Sequence, residues 1–287
     1  MSSVREVLRG VPRALPPGRP GDAGLFGPGS VAWRVNGEGV LMLGGPRALL
    51  MQIAHPLVAA GVAAYSDFPA DPFTRLWRTV DAMLAISFGD IEQSRRAASR
   101  VTAVHSEVRG RAGDGRPYSA MDPDLLLWVH ATLVDSGLVV YRRFFGRISE
   151  NDAERYVAEM GRLAVLMGVP EDLLFADLAA FGAYVDRTVR DLEVSREARE
   201  MAPWILRPPV PPALRPVARF QELVTVGLLP LALRAGYGLP WPARRERLLR
   251  ASAATARVVV PRLPGVLRRW PQARAAERRV LSGTARL

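Results

Sequence analysis

Asp122-Pro-Asp-Leu-Leu-Leu-Trp-Val-His-Ala-Thr-Leu-Val-Asp-Ser-Gly-Leu-Val-Val-Tyr-Arg-Arg-Phe-Phe-Gly146 reads as one long helix. Asp122 can accept hydrogen bonds from the first-turn N–H groups, Pro123 sits where a helix has no use for an N–H, and Gly146 stops the run. The same punctuation recurs on either side. Asp71-Pro72 opens a helix to Phe88, closed by Gly89; another spans about Ile91 to Arg109 before Gly110; Ser149-Glu-Asn-Asp152 starts one ending near Gly168; Pro170 starts one reaching about Leu192. No alternating strand-like run flanked by hairpin turns appears, so the pattern predicts an all-α helical bundle.

Three parts follow along the chain. Residues 1–29 form a Pro/Gly-rich arm expected to be loosely held, residues 30–202 a helical core, and residues 203–287 a basic helical segment packed on that core. Six prolines in residues 203–216 suggest a linker there. The charge divides at the same place: residues 1–202 carry 23 Arg and 25 acidic residues, whereas residues 203–287 carry 16 Arg and 3 acidic residues. A segment of that balance suits anionic lipid or an acidic partner. Its arginines alternate with Leu, Val and Pro and carry no recognition motif, so no nucleic-acid partner is expected.

The chain has no cysteine, which excludes disulfides, zinc ribbons, iron–sulfur clusters, thiolate-ligated haem and c-type attachment. It also has no lysine, which excludes Schiff-base chemistry and a Walker-type phosphate loop. The first nine residues offer no apolar run for a signal peptide, which predicts a cytoplasmic protein, and the basic balance of residues 203–287 makes that segment the place for any peripheral membrane contact. Residues 48–66 are uncharged and border on spanning length, but Gln52, His55 and Pro56 favour a buried core helix kinked at the proline.

All three histidines, His55, His105 and His130, fall within 76 residues and within apolar helical stretches. One such histidine is ordinarily a core residue; three together suggest a metal or haem ligand among them. His105 lies on the row Val101, Val104, His105, Val108, and His130 with Leu126, Leu133 and Gly137. Arg75, Arg78 and Thr79 share a helix face continued by Ala82 and Ile86, and so read as covered. Two covered arginines need anionic partners: Asp81 or Asp90 in a structural role, or haem propionates or an oxygen-derived ligand in a functional one. A non-haem site using all three histidines stays open, as does a non-catalytic helical binding protein with a membrane-associated tail.

Several motifs resemble the bacterial MpaB-type oxygenase family, related to rubber oxygenase (latex-clearing protein). They are Ala54-His-Pro56, Asp71-Pro-Phe-Thr-Arg-Leu-Trp-Arg-Thr79, Phe88-Gly89, His105-Ser-Glu-Val-Arg-Gly110, Tyr118-Ser-Ala-Met-Asp-Pro123 and Trp128-Val-His-Ala-Thr-Leu-Val-Asp-Ser136. The likeness extends through Glu154-Arg-Tyr156 and Pro240-Trp241 to cover roughly residues 30–280. It implies a globin-like helical core and haem b, with His105 matching the iron-binding histidine and His130 beside the cofactor. Arg75, Arg78 and Thr79 match the polar positions of an Arg-x-x-Lys-Thr element on the distal side. Arginine at position 78 departs from that pattern, and a guanidinium that stays protonated has no lone pair for iron, so a lysine-capped resting state is not expected. The resemblance thus implies a haem b oxygenase or oxidase that uses dioxygen on an apolar small molecule, with His55 as a candidate base. The missing secretion signal argues against a polymeric extracellular substrate.

Overall fold

The computed structural model describes residues 14–65 and 72–284, together with Val7, Val11 and Pro12. The architecture is all-α. Helices α1 (Val31–Asn36), α2 (Gly45–Ala54), α3 (Pro56–Tyr65), α4 (Pro72–Phe88) and α5 (Ile91–Glu107) come first. A hairpin of β1 (Arg109–Arg111) and β2 (Pro117–Ser119) separates them from α6 (Pro123–Val140), α7 (Glu150–Leu166), α8 (Leu178–Asp191) and α9 (Arg196–Leu206). Helices α10 (Arg215–Leu228), α11 (Leu231–Gly236), α12 (Ala243–Val259), α13 (Gly265–Arg268) and α14 (Pro271–Thr284) complete the chain.

The caps read from the sequence at Asp122 and Ser149 are used, and Asp71 lies outside the described residues. Asp122 accepts from the Asp124 and Leu125 N–H groups, Ser149 from Asp152, and Asp90 forms a reciprocal capping box with Gln93 at the start of α5. Past Val140 the helix widens into a π-type turn, Tyr141–Phe145, and Gly146 ends it. This unit, Pro123–Phe145, is long and apolar enough to cross a membrane, yet 72% of its most apolar window is buried inside the protein. It is the central helix, packed on α2, α7 and α8. Trp33, Leu50, Met51, Phe88, Trp128, Tyr156 and Phe181 fill the core around it, with the Trp33 and Phe88 rings edge to face at 5.0 Å.

Four expectations are corrected. Residues 48–66 are not one kinked helix: α2 and α3 meet at His55 at 109°, a full corner. A small antiparallel hairpin exists, pairing Arg109 with Ser119 and Arg111 with Pro117. The helix expected from Pro170 is a single turn, Glu171–Leu173, followed by a separate α8 capped by Asp177. The stretch 203–216 is not a plain linker, because α9 runs through Pro203 to Leu206.

The described part of the arm is stitched down rather than loose. Asp22 accepts from the Ile91 N–H, the Pro16 carbonyl accepts from Gln93, and Arg19 donates its N–H to Asp90 at 2.9 Å. Gly24, at φ +69°, brings the arm so close to the Gly89 carbonyl that a Cβ would collide with it. Leu25 and Phe26 then enter the core. At the other end of the chain, Val226, Leu229, Leu233, Tyr237, Ala273 and Ala276 belong to the same core cluster as Trp33 and Trp128.

Candidate functional site

His55 sits at the α2–α3 corner because Pro56 has no N–H to continue α2 and a preset φ to begin α3. Its own N–H donates to the Gln52 carbonyl at 3.1 Å, and its carbonyl accepts from Ala59 at 2.9 Å, so one residue closes one helix and opens the next. Helix α3 packs on the hairpin, with Gly61 set against Val108 and Tyr118. The imidazole is half-buried. Burial pushes its pKa below the ordinary histidine value, Arg116 lowers it further, and Asp122 acts in the opposite sense. The groups around His55 therefore come from the hairpin and the start of α6.

His105 lies in the last turn of α5. The buried positions of that helix, Ser94, Ala97 and Ala98, continue through the half-buried Val101, His105 and Val108. Val104, expected on this row, is 65% exposed. The inward seam is thus Ser94, Ala98, Val101, His105, Val108, spaced as a helix face requires. Burial lowers the His105 pKa, and the nearby positive charge of Arg75 lowers it further. At neutral pH the imidazole is uncharged, with a nitrogen lone pair to offer. His130, in the middle of α6, is 5% exposed, and burial alone pushes its pKa down to about 4. In each of the three histidines Nδ1 is buried without a hydrogen-bond partner.

The Arg75/Arg78/Thr79 face divides. Arg75 is partly buried beside His105, and burial lowers its pKa from the usual arginine value. Arg78 and Thr79 are exposed, and the Thr79 hydroxyl turns back on its own helix to donate to the Arg75 carbonyl at 3.0 Å. The expectation of one covered face therefore fails for these two, because the buried part of α4 is its C-terminal end, from Leu84 to Phe88. Asp90, one acid expected to pair with these arginines, is committed to capping α5 and to Arg19.

The histidines do not form one ligand set. Among the described residues no three His, Asp or Glu side chains come together as a metal site, which overturns the three-histidine reading. Only His105 has Arg75 among the charges that shift its pKa; those for His55 are Arg116 and Asp122, and His130 responds to burial alone.

One group was missed by sequence reasoning. Arg47 is buried in α2, with Nη2 at 2.7 Å from Asp135 Oδ2; its Nη1 donates to Ser136 Oγ at 2.6 Å and its Nε to the Leu228 carbonyl at 2.7 Å. The pair ties α2, α6 and α10 together and gives Asp135-Ser136 of the motif a structural partner. Gln52 adds a bond to Thr132 at 3.1 Å, and the Trp128 indole donates to the Met51 carbonyl at 3.2 Å. The α2–α6 seam is thereby fixed along the face of α6 that carries Trp128, Thr132, Asp135 and Ser136.

Comparison with known proteins gives a consistent assignment. Residues 33–258 match the family model described as ER-bound oxygenase mpaB/B'/Rubber oxygenase, catalytic domain. Two uncharacterized mycobacterial proteins, Mb2261 of Mycobacterium bovis and Rv2237 of Mycobacterium tuberculosis, are each 29% identical over 216 residues, covering 69% of this chain and 80% of theirs. No solved structure matches significantly. With most of its length inside that model, including every histidine and the Arg75 helix, the chain belongs to the family of mpaB and rubber oxygenase catalytic domains.

Proposed function

We propose that this oxygenase-family chain binds haem b and oxygenates an apolar small molecule with dioxygen. The observation that carries the reading is His105: a neutral imidazole on the inward seam of α5, its Nδ1 without a protein partner, with Arg75 beside it. These residues fit the cofactor. His105 offers a nitrogen donor to iron, and Arg75 offers a cation suited to a propionate carboxylate. Bound there, haem b would supply the dioxygen activation that the reaction needs.

The remaining roles belong to the chain's own side chains. Arg75 orients anionic groups at the site. His55, neutral at physiological pH, can accept a proton and is assigned the role of base. Arg78 and Thr79 lie exposed and would reach a bound ligand only from the solvent edge. His130, the most deeply buried of the three, is given a supporting place beside the cofactor and no bond to iron. A cytoplasmic location remains part of this proposal.

The test is oxygen uptake by the full chain purified with a haem supply, with apolar alkenes and ketones as trial substrates. Substrate-dependent uptake that falls in Arg75→Leu and His55→Ala supports the proposal. Haem-free protein that consumes no oxygen with any of them counts against it.

A further inference from the structure

The outward face of α12 and the corner after it combine two features that a solvated surface does not need. Val258 and Val259 at the end of α12, and Val266 and Leu267 in α13, are 56%, 47%, 59% and 71% exposed. Leu248, Ala251, Thr255 and Val258/Val259 recur at helical spacing on the exposed side of α12, opposite the buried Leu249 and Ala253. Exposed aliphatic side chains scattered singly are ordinary; four within ten residues around one turn are a patch.

The second feature is charge. Residues 247–276 contain seven arginines and no Asp or Glu. Arg268 and Arg269 turn inward to pair with Glu38 and Glu277. Arg250 pairs with Glu246 one helical turn away. Arg247, Arg257 and Arg262 are exposed, and among the described residues none of them has a carboxylate partner. The unbalanced positive charge therefore borders the aliphatic patch.

We propose that residues 247–267 form a docking surface for an anionic lipid membrane, the aliphatic corner entering the headgroup boundary and the arginines engaging lipid phosphates. An acidic protein would satisfy the arginines alone and would leave Val258, Val259, Val266 and Leu267 without a role. The inference is independent of haem binding, so either reading can fail without the other.

The experiment is co-sedimentation of the full chain with vesicles of phosphatidylcholine alone or mixed with phosphatidylglycerol. Binding should require phosphatidylglycerol and fall about tenfold from low to high salt. Val258→Ser/Leu267→Ser should lower partitioning about tenfold. Arg257→Gln/Arg262→Gln should lower it comparably and flatten the salt dependence. Val104→Ser, which changes an equally exposed valine on α5, should bind as wild type. The proposal is overturned if the wild type ignores anionic vesicles, if neither double variant weakens binding, if Val104→Ser weakens it equally, or if the corner variants only dissociate a dimer.

Discussion

Arg47 is the only Asp, Glu or Arg between Glu38 and Asp67, and Asp135 the only one between Asp124 and Arg142; the fold sets each against the other. Removing one partner leaves a buried charge alone. Arg47→Met should cost about 3–5 kcal/mol, read as a lower Tm, and Arg47→Met/Asp135→Leu should recover most of it. Sequence reasoning missed this pair, because two charges isolated in separate apolar stretches do not say that they meet. Arg75, Arg78 and Thr79 all read as covered from the sequence, yet only Arg75 is partly buried, because periodicity gives a direction and not how far the neighbouring helix extends. His130 leads to a pH prediction. Its folded pKa of about 4 lies below the unfolded 6.5, so as pH falls through this window the unfolded chain takes up a proton that the folded chain refuses. Stability should decline by about 1.4 kcal/mol per pH unit from this group and level off near pH 4. Denaturant midpoints measured across that range should show it, and His130→Leu should flatten the slope; an unchanged slope would mean that another group titrates.

At the level of elements, caps proved more informative than periodicity. Asp122-Pro123 and Ser149 mark helix starts that the structure uses, because short acceptors satisfy first-turn N–H groups wherever the chain runs, and the structure adds the Asp90/Gln93 box by the same chemistry. What sequence did not show were features lacking such chemistry. The three-residue strands are too short to alternate, and the corner at His55 differs from a kink only by tertiary packing. Pro203 stays inside α9 because a proline near a helix end removes a bond without stopping the chain. The α5 cap also anchors the arm through Arg19. Asp90→Ala should lower stability by about 1–2 kcal/mol, measured by thermal melting, without changing the absorption spectrum of a haem-loaded protein. A changed spectrum would mean that the cap, 15 residues from His105, positions the imidazole.

For the whole molecule, the division at residue 202 visible in charge is not a division of the core. The Tyr237 hydroxyl donates to the Leu50 carbonyl at 2.6 Å, and Gln221 donates to the Leu43 carbonyl at 2.9 Å. Charge asymmetry reports on surface, and surface composition is blind to what the same segment buries. A chain ending at Ala202 cuts α9 and removes Val226, Leu229, Leu233 and Tyr237 from the core. It should show no cooperative unfolding by circular dichroism, and a sharp transition would contradict the account of one shared core. The claim on which the rest depends is that His105 holds haem iron, and the absorption spectra of wild type, His105→Ala, His55→Ala and His130→Ala, all purified with a haem supply, test it most directly. A Soret band and a haem b pyridine haemochrome are expected in the wild type, lost or displaced in His105→Ala and retained in the other two. A wild-type Soret band in His105→Ala with its loss in either other variant, or a wild-type protein that takes up no haem, would contradict it.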